Sequence, residues 1–131
     1  MCIRDSNDAT RKALGNNTLL RRIKEIKPTG RFLEIGCAGG VFLNEARTMG
    51  YETVGVEFSS EMAEFAKKNF GLDVRAGDIL DAQFADSNFD VVFMGDVLEH
   101  LPDPVRSLTE IARIMKQGGF CLLYTSPSPR D

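Results

Sequence analysis

The stretch Arg31–Gly40, RFLEIGCAGG, decides the fold of this chain. It contains a short apolar run, an acidic residue near the end of that run, and a turn of small residues that opens into the helical pattern VFLNEARTMG at residues 41–50. A buried strand followed by such a turn and a helix is typical of the carboxyl edge of a parallel sheet, where nucleosides bind. The stretch therefore predicts an α/β fold with a nucleoside site at this loop.

The spacing within the loop indicates which kind of nucleoside it binds. A pyrophosphate loop typically has the spacing G-x-G-x-x-G, and its acidic residue lies well downstream. Here the small residues are Gly36, Ala38 and Gly40. Glu34 precedes all of them, and a carboxylate there repels a diphosphate but attracts an ammonium or sulfonium group. The loop favours a cationic nucleoside without phosphate, and S-adenosylmethionine has these properties.

Two terminal segments are set apart from the fold. Residues 1–6 (MCIRDS) and 121–131 (CLLYTSPSPRD) resemble the translated ends of a transposon-type sequencing-library adapter, and such segments are excluded from fold reasoning. Residues 7–120 are then expected to be one partial domain, because a complete α/β domain usually needs more residues. Only Cys37 of the three cysteines lies in this part, which favours a reducing compartment and a cytoplasmic location.

The distribution of charge and apolar residues limits the expected partners. The net charge is −3, and the Lys and Arg residues of the most basic segment, 21–27, alternate with apolar residues at helical spacing. This pattern is typical of the solvated face of an amphipathic helix and not of clustered phosphate contacts. No apolar run is long enough to span a bilayer. We expect a small-molecule partner, with neither nucleic acid nor a membrane span, and the sequence leaves the oligomeric state open.

Hydrophobic periodicity predicts strands that alternate with helices. The predicted strands are residues 31–35, 52–57, 73–76 and 89–94, with a fifth after Gly118-Gly119. The predicted helices are residues 8–27, 41–49, 60–70 and 104–116, and a polar loop precedes the fourth strand. Strands separated by helices form βαβ units, so the sequence predicts a parallel sheet with helices on its faces.

Five motifs occur along the chain in an order that one enzyme family shares. They are LEIGCAGG (33–40), VGVEFS (54–59), AGDI (76–79), FDVVFMGDVLEHLPDP (89–104) and LTEIARIMKQGG (108–119). In these motifs the chain resembles the class I S-adenosylmethionine-dependent methyltransferases of the small-molecule, ubiquinone-biosynthesis-like type, with Ala38 where the family usually has glycine. The resemblance implies a Rossmann-like parallel sheet of order 3-2-1-4-5, truncated after about strand five. It also implies S-adenosyl-L-methionine as cofactor and a small-molecule methyl acceptor.

The resemblance implies that the first motif holds the methionine end of the cofactor. The backbone of the loop wraps this end of the ligand, and larger side chains would obstruct it; the loop residues concerned are Gly36, Cys37, Ala38 and Gly40. Glu34 is expected to take part in binding, and the alternative is an exposed acid that merely closes a strand. Cys37 is expected to be a small packed residue and not a nucleophile, because no base lies near it in the sequence.

The next motifs are expected to hold the ribose, the adenine and part of the methionine. The resemblance implies that Glu57 accepts both ribose hydroxyls and that Asp78 accepts from the adenine amino group. Ile79 is expected to pack against the adenine ring, Phe58 to cover its other face, and Asp96 to contact the methionine portion. The alternatives are a surface carboxylate for Glu57 and a simple turn former for Asp78.

His100 is the one histidine and the candidate catalytic residue. It follows the fourth predicted strand, where substrates of the family lie. Methyl transfer mainly needs positioning, and a neutral imidazole there can take the proton of a hydroxyl or phenol acceptor. The alternative is a histidine that ends a helical turn before Leu101-Pro102. A metal site of Asp96, Glu99 and His100 is not expected, because one short segment offers too few ligands.

The sequence thus predicts an S-adenosylmethionine-dependent methyltransferase that methylates O, C or N. The partial domain of residues 7–120 is expected to be weakly active or inactive, because the distal sheet edge and the substrate-capping elements lie outside it. Two alternatives stay open. A nucleotide-dependent oxidoreductase or epimerase is disfavoured by the loop spacing and by Glu34, and a non-catalytic cofactor-binding module would bind the same ligand without turnover.

Overall fold

A single parallel sheet forms the centre of the fold. The computed structural model describes residues 2–5, by their backbone, together with 18–95 and 97–124. In this part of the chain the strands are β1 (Cys2–Asp5), β2 (Arg31–Ile35), β3 (Glu52–Glu57), β4 (Val74–Ala76), β5 (Phe89–Gly95) and β6 (Met115–Tyr124). Their order is β1-β6-β5-β2-β3-β4, and every neighbouring pair is parallel. The predicted order of the five later strands, 3-2-1-4-5, is therefore confirmed.

Helices connect the strands and cover both faces of the sheet. Helix α1 includes residues 18–26, and the rest of the predicted helix 8–27 lies almost entirely outside the described residues. The others are α2 (Val41–Thr48), α3 (Ser60–Phe70), α4 (Ile79–Ala82), a 3₁₀ turn (Leu98–His100) and α5 (Pro104–Ile114). Within the described ranges, none of the helices has the length and apolar character that a membrane crossing requires.

The core consists of two apolar layers, one on each face of the sheet. Side chains alternate between the faces along a strand, and both faces of a parallel sheet are usually buried. On one face α1, α2 and α3 pack on residues such as Phe32 and Phe93. On the other face α4 and α5 pack on residues such as Leu33 and Val92. The near-continuous apolar strands of the sequence are the consequence of this double burial.

The chain reverses its direction of travel across the sheet between β2 and β5. From β2 it proceeds outward through β3 to β4, and it then crosses back to β5 on the opposite side of β2. Leu33 of β2 has Val54 of β3 on one side and Val92 of β5 on the other. The loops that leave β2 and β5 consequently diverge, and the crevice between them is where ligands bind in open α/β sheets.

The two adapter-like segments meet at one edge of the sheet. Strand β1 pairs in register with the end of β6, from Cys2 opposite Cys121 to Asp5 opposite Tyr124. The side chains of residues 121–124 are buried. These pairings describe how the residues lie and do not test where the segments come from. The division into residues 1–6, 7–120 and 121–131 therefore stays a prediction.

The end of α5 differs from the prediction. Helix α5 ends at Ile114 and not at residue 116, and β6 begins at Met115 and includes Gly118-Gly119. The amides of Ser87 and Asn88 donate to the carbonyls of residues 113 and 114, at 3.0 and 2.6 Å. These bonds come from a loop distant in sequence, and they take carbonyls at the C-terminal end of the helix. Residues 116–119 then form an irregularity in the pairing of β5 with β6.

A short helix replaces part of the predicted polar loop. Asp78 is the N-cap of α4, and its Oδ1 accepts from the Leu80 amide at 3.2 Å. The Asp78 amide donates in return to Oδ2 of Asp81 at 3.2 Å. This reciprocal pair satisfies two amides at the start of the helix. It explains why a four-residue helix forms in a segment without long periodicity.

Candidate functional site

The loop between β2 and α2 is fixed to the end of β3 by backbone hydrogen bonds. The amides of Gly36 and Cys37 both donate to the Val56 carbonyl, at 2.7 and 3.3 Å. The Gly40 amide donates to the Cys37 carbonyl at 2.9 Å. Ala38 has a φ of 48° and Gly40 a φ of 90°, so both have left-handed backbone. The loop therefore turns sharply and presents its backbone at the carboxyl edge of the sheet.

A cleft of about 250 Å³ lies inside this loop, and its lining includes Glu34, Gly36, residues 37–42 and Gly95. It therefore lies between the ends of β2 and β5, at the point where the chain reverses direction. The Glu34 side chain is only 5% exposed, so a carboxylate lies in a cleft walled mainly by backbone and apolar atoms. The structure thus brings together Glu34 and the four loop residues that were predicted to hold the methionine end of the ligand. The volume suits one part of a nucleoside ligand, since whole ligand sites usually measure about 300–1,000 Å³.

Glu57 connects the loop after β2 to the loop after β3. Its Oε1 accepts from the Ala38 amide, and its Oε2 accepts from the Ser59 amide, both at 2.8 Å. Phe58 follows with a side chain that is 49% exposed. The Oγ of Ser59 accepts from the Met62 amide at 3.2 Å and caps the start of α3. A partly exposed carboxylate and an exposed aromatic ring therefore flank the loop on the β3 side.

Two of the three residues predicted at the adenine end, Asp78 and Ile79, follow β4 and differ in their surroundings. Asp78 is the N-cap of α4. This local role corresponds to the alternative in which Asp78 only forms a turn. Ile79 is 1% exposed and packs in the core layer with α5. Its side chain presents no open surface to a ligand in this structure. The adenine contacts of Asp78 and Ile79 stay predictions.

His100 lies at the end of the 3₁₀ turn that follows β5. Its side chain is 75% exposed, and its Nε2 lies 4.0 Å from Oε1 of Glu99. The His100 amide donates to the Val97 carbonyl at 2.9 Å, and Leu101 continues in extended conformation. Asp96, the predicted contact of the methionine portion, lies outside the described residues. Among the residues that the structure describes, no three His, Cys, Asp or Glu side chains group as a metal site requires.

Cys37 packs inward from the loop against β3. It is 4% exposed, and a Cβ atom at Gly55 would lie 2.8 Å from its Sγ. Burial raises the pKa of the Cys37 thiol to about 12, and the nearby carboxylates of Glu34 and Glu57 add to the effect. The thiol is consequently protonated at neutral pH and lacks the thiolate that nucleophilic chemistry requires.

The buried thiol leads to a prediction about alkaline stability. Because the folded pKa of Cys37 is raised from 9.0 to about 12, the stabilisation is complete below pH 9 and is lost as the pH rises toward 12. We expect the free energy of unfolding to fall by about 1.4 kcal/mol per pH unit through this range from Cys37 alone. Urea unfolding at a series of pH values, for the wild type and Cys37→Ala, measures this slope.

The Cys37→Ala control is needed because burial also raises the pKa of Tyr51. The ionisation of Tyr51 also lowers the free energy of unfolding as the pH rises, but only from pH 10 upward. Tyr51 is present in both proteins, so its effect is the same in each. The stability of the wild type should therefore fall more steeply than that of Cys37→Ala between pH 9 and 10. Equal slopes in the two proteins would show that Cys37 titrates normally.

Several residues at the cleft were not identified from the sequence. Val41 and Phe42, in the first turn of α2, line it together with Gly95. Val97 packs against the loop, since a Cβ atom at Gly36 would lie 2.3 Å from its Cγ2. The position of Val41 directly after the glycine turn is a signal that could have identified it. Val97 has no such signal, because its proximity to Gly36 results from the pairing of β2 with β5.

Comparisons with known proteins agree with this geometry. A family model described as a methyltransferase domain matches residues 33–123. The chain is 32% identical to an uncharacterized methyltransferase of Schizosaccharomyces pombe, over 75% of this chain and 40% of that protein. It is 31% identical to the ubiquinone biosynthesis O-methyltransferase of Alkalilimnicola ehrlichii, over 72% of this chain and 41% of that protein. The solved structure of a SAM-dependent methyltransferase from Thermotoga maritima is 32% identical with a TM-score of 0.68, over 84% of this chain and 51% of that one. The chain thus spans about two fifths of the length of these curated relatives.

Proposed function

Because the chain belongs to the methyltransferase domain family, we propose that the whole protein transfers a methyl group from S-adenosyl-L-methionine to a small-molecule acceptor. The family implies this cofactor, which supplies a methyl group on a sulfonium cation. The observation that carries the proposal is the cleft at the β2–β5 crevice, where the buried Glu34 carboxylate lies within a glycine-rich loop. The acceptor atom can be O, N or C.

The residues of the cleft suit the methionine end of the cofactor. A carboxylate that is 5% exposed attracts a cation strongly, because little water screens it. The Glu34 side chain would therefore hold the ammonium or sulfonium group, and the loop backbone at residues 36–40 would lie along the methionine chain. The first amides of α2 would favour the carboxylate of the ligand. Asp96 is proposed as a further contact of this portion.

The residues on the β3 side suit the nucleoside end of the cofactor. A carboxylate oxygen can accept two hydrogen bonds, so Glu57 can accept ribose hydroxyls in addition to the two backbone amides that it already binds. The exposed ring of Phe58 offers a stacking surface for adenine. The adenine amino group would donate to Asp78, and the packing of Ile79 against the ring would need a shift of its side chain out of the core layer.

His100 is proposed as the general base for acceptors that hold a proton. Its imidazole is largely exposed and lies beyond the carboxyl end of β5, which borders the crevice. A hydroxyl or phenol acceptor would lose its proton to the neutral imidazole as the methyl group is transferred in line. The proposal includes no metal ion, and it includes no nucleic-acid partner, in keeping with the net charge of −3. A cytoplasmic location is also proposed, and it rests on the free, buried thiol of Cys37.

Calorimetric titration tests the proposed cofactor and separates it from the alternatives. The chain is titrated with S-adenosylhomocysteine and, in parallel, with NAD⁺. We expect binding of S-adenosylhomocysteine and no binding of NAD⁺, because Glu34 opposes a diphosphate. Binding of NAD⁺ alone would favour the oxidoreductase or epimerase alternative. A full-length protein that binds the cofactor and methylates no acceptor would instead be a non-catalytic module.

A turnover assay tests the proposed partial domain. Residues 7–120 are proposed to contain the cofactor-binding half, and the chain is therefore expected to bind the cofactor with weak or no turnover. Methyl transfer from radiolabelled S-adenosylmethionine to a panel of small phenols and amines measures the turnover. Efficient transfer by this chain would contradict the proposed division of the domain.

A further inference from the structure

Both carboxylate oxygens of Glu57 bind backbone amides of two different loops. Oε1 accepts from Ala38 in the loop after β2, and Oε2 accepts from Ser59 in the loop after β3, each at 2.8 Å. The Ala38 contact joins residues that are 19 positions apart in the sequence. A carboxylate between two amides makes charge-assisted hydrogen bonds, which are among the stronger ones in proteins.

Ala38 has a conformation that needs such support. Its φ of 48° lies in the left-handed region, which is unfavourable for alanine and easy for glycine. The neighbouring amides of Gly36 and Cys37 are held by the Val56 carbonyl, so the Ala38 amide is the next one along the loop and is held by Glu57 instead. The carboxylate thus holds the one non-glycine residue of the loop that has positive φ.

We propose that Glu57 is a positioning residue, which holds the loop in its ligand-ready form before the cofactor arrives. Its carboxylate fixes Ala38 in the left-handed conformation and fixes Ser59 at the start of α3 at the same time. The ribose contact under the proposed function is then a second task of the same group, and the ligand part of this inference rests on that function. Removing the carboxylate should loosen the loop even when no ribose hydroxyl is present.

Glu57→Gln is the variant that tests the hydrogen bonds themselves. Glutamine has the same length, but its one oxygen can accept from only one of the two amides, and its NH₂ group accepts from neither. Amide hydrogen exchange, followed by NMR in the ligand-free chain, should become at least about 10-fold faster at Ala38 or Ser59. The Gly36 amide, bonded to Val56, should keep its rate. Glu61→Gln removes an equal charge from the exposed first turn of α3 and is the matched control.

Two ligands separate positioning from ribose binding. S-adenosylhomocysteine has both ribose hydroxyls, and its 2′,3′-dideoxy analogue has neither. If Glu57 positions the loop, Glu57→Gln weakens binding of the dideoxy analogue by about 10-fold as well. An unchanged affinity for the analogue, together with unchanged amide exchange, would overturn the proposal and leave the ribose contact intact. If the wild type binds neither ligand, the proposed function fails, and amide exchange alone still decides whether the loop is held.

Ala38→Gly is a second test variant, because it removes the backbone strain that the positive φ of Ala38 causes. Glycine adopts the left-handed conformation readily, so the loop of this variant should depend less on Glu57. In the Ala38→Gly background, Glu57→Gln should affect the affinity for the dideoxy analogue less than it does in the wild-type background. An equal effect in both backgrounds would contradict the coupling of Glu57 to Ala38.

Discussion

Replacing Gly40 by alanine is expected to lower the free energy of unfolding by about 2–4 kcal/mol. Two effects add. The φ of Gly40 is 90°, which strains any residue with a Cβ atom. That atom would also lie 2.7 Å from Cδ1 of Leu72 and 2.9 Å from the Cβ of Ala66, and both of these residues are buried. Urea unfolding followed by circular dichroism measures the loss.

Gly50→Ala is the matched control for this prediction. Gly50 has a φ of 105°, close to that of Gly40, but nothing lies within 4 Å of a Cβ atom placed there. It therefore shows the cost of backbone strain alone, which we expect to be about 1–2 kcal/mol. The difference between the two variants is the cost of pushing α3 away from the loop. Equal losses would show that α3 moves freely and that the close approach at Gly40 is unimportant.

Replacing Glu34 by glutamine is expected to weaken the binding of S-adenosylhomocysteine by about 10- to 100-fold. A hydrogen bond to a charged group contributes about 1.5–3 kcal/mol, and about 1.4 kcal/mol corresponds to a factor of ten in affinity. The side chain is 5% exposed and lines the cleft, so water screens its charge little. Glutamine keeps the shape and removes the attraction for the ammonium group. Isothermal titration calorimetry measures the change.

A second ligand shows whether the ammonium group is the target of Glu34. 5′-Methylthioadenosine retains the nucleoside and lacks the amino-acid portion. The wild type and Glu34→Gln should bind this ligand with nearly equal affinity. S-adenosylhomocysteine, by contrast, should bind the variant more weakly than the wild type. Equal losses for both ligands would mean that Glu34 supports the loop and does not bind the methionine end. Glu64→Gln, on the exposed face of α3, controls for the change in net charge.

Local signals were sufficient for much of the fold. Strands β2 and β3 have the predicted bounds, and so does α3, which begins at Ser60 and ends at Phe70. Apolar runs, caps and glycine breakers act over a few residues, so a sequence window contains them. The predicted end of α5 was wrong because Met115 already belongs to β6 and pairs with Phe89 of β5. No window around residue 114 contains that information.

The candidate site, like the fold, was predictable only in part from the sequence. The acidic residues at the ends of β2 and β3, and the small residues between them, could be identified from their positions in the sequence. Their surroundings could not, because pairing of the strands brings together residues that are far apart along the chain. The contact of Ala38 with Glu57 and the approach of Val97 to Gly36 are both of this kind.

The sequence by itself determined the order of strands and helices, the crevice at which a ligand would bind, and the residue types that surround it. Periodicity, breakers and the order of the motifs are local properties, and the right-handed crossovers of βαβ units then leave few topologies open. Only the tertiary structure decided that Glu34 is buried in a cleft, that burial and two carboxylates raise the pKa of the Cys37 thiol, and that Glu57 joins two loops. Burial, pKa and the distance between loops depend on atoms supplied by several elements at once, and the fold sets those distances.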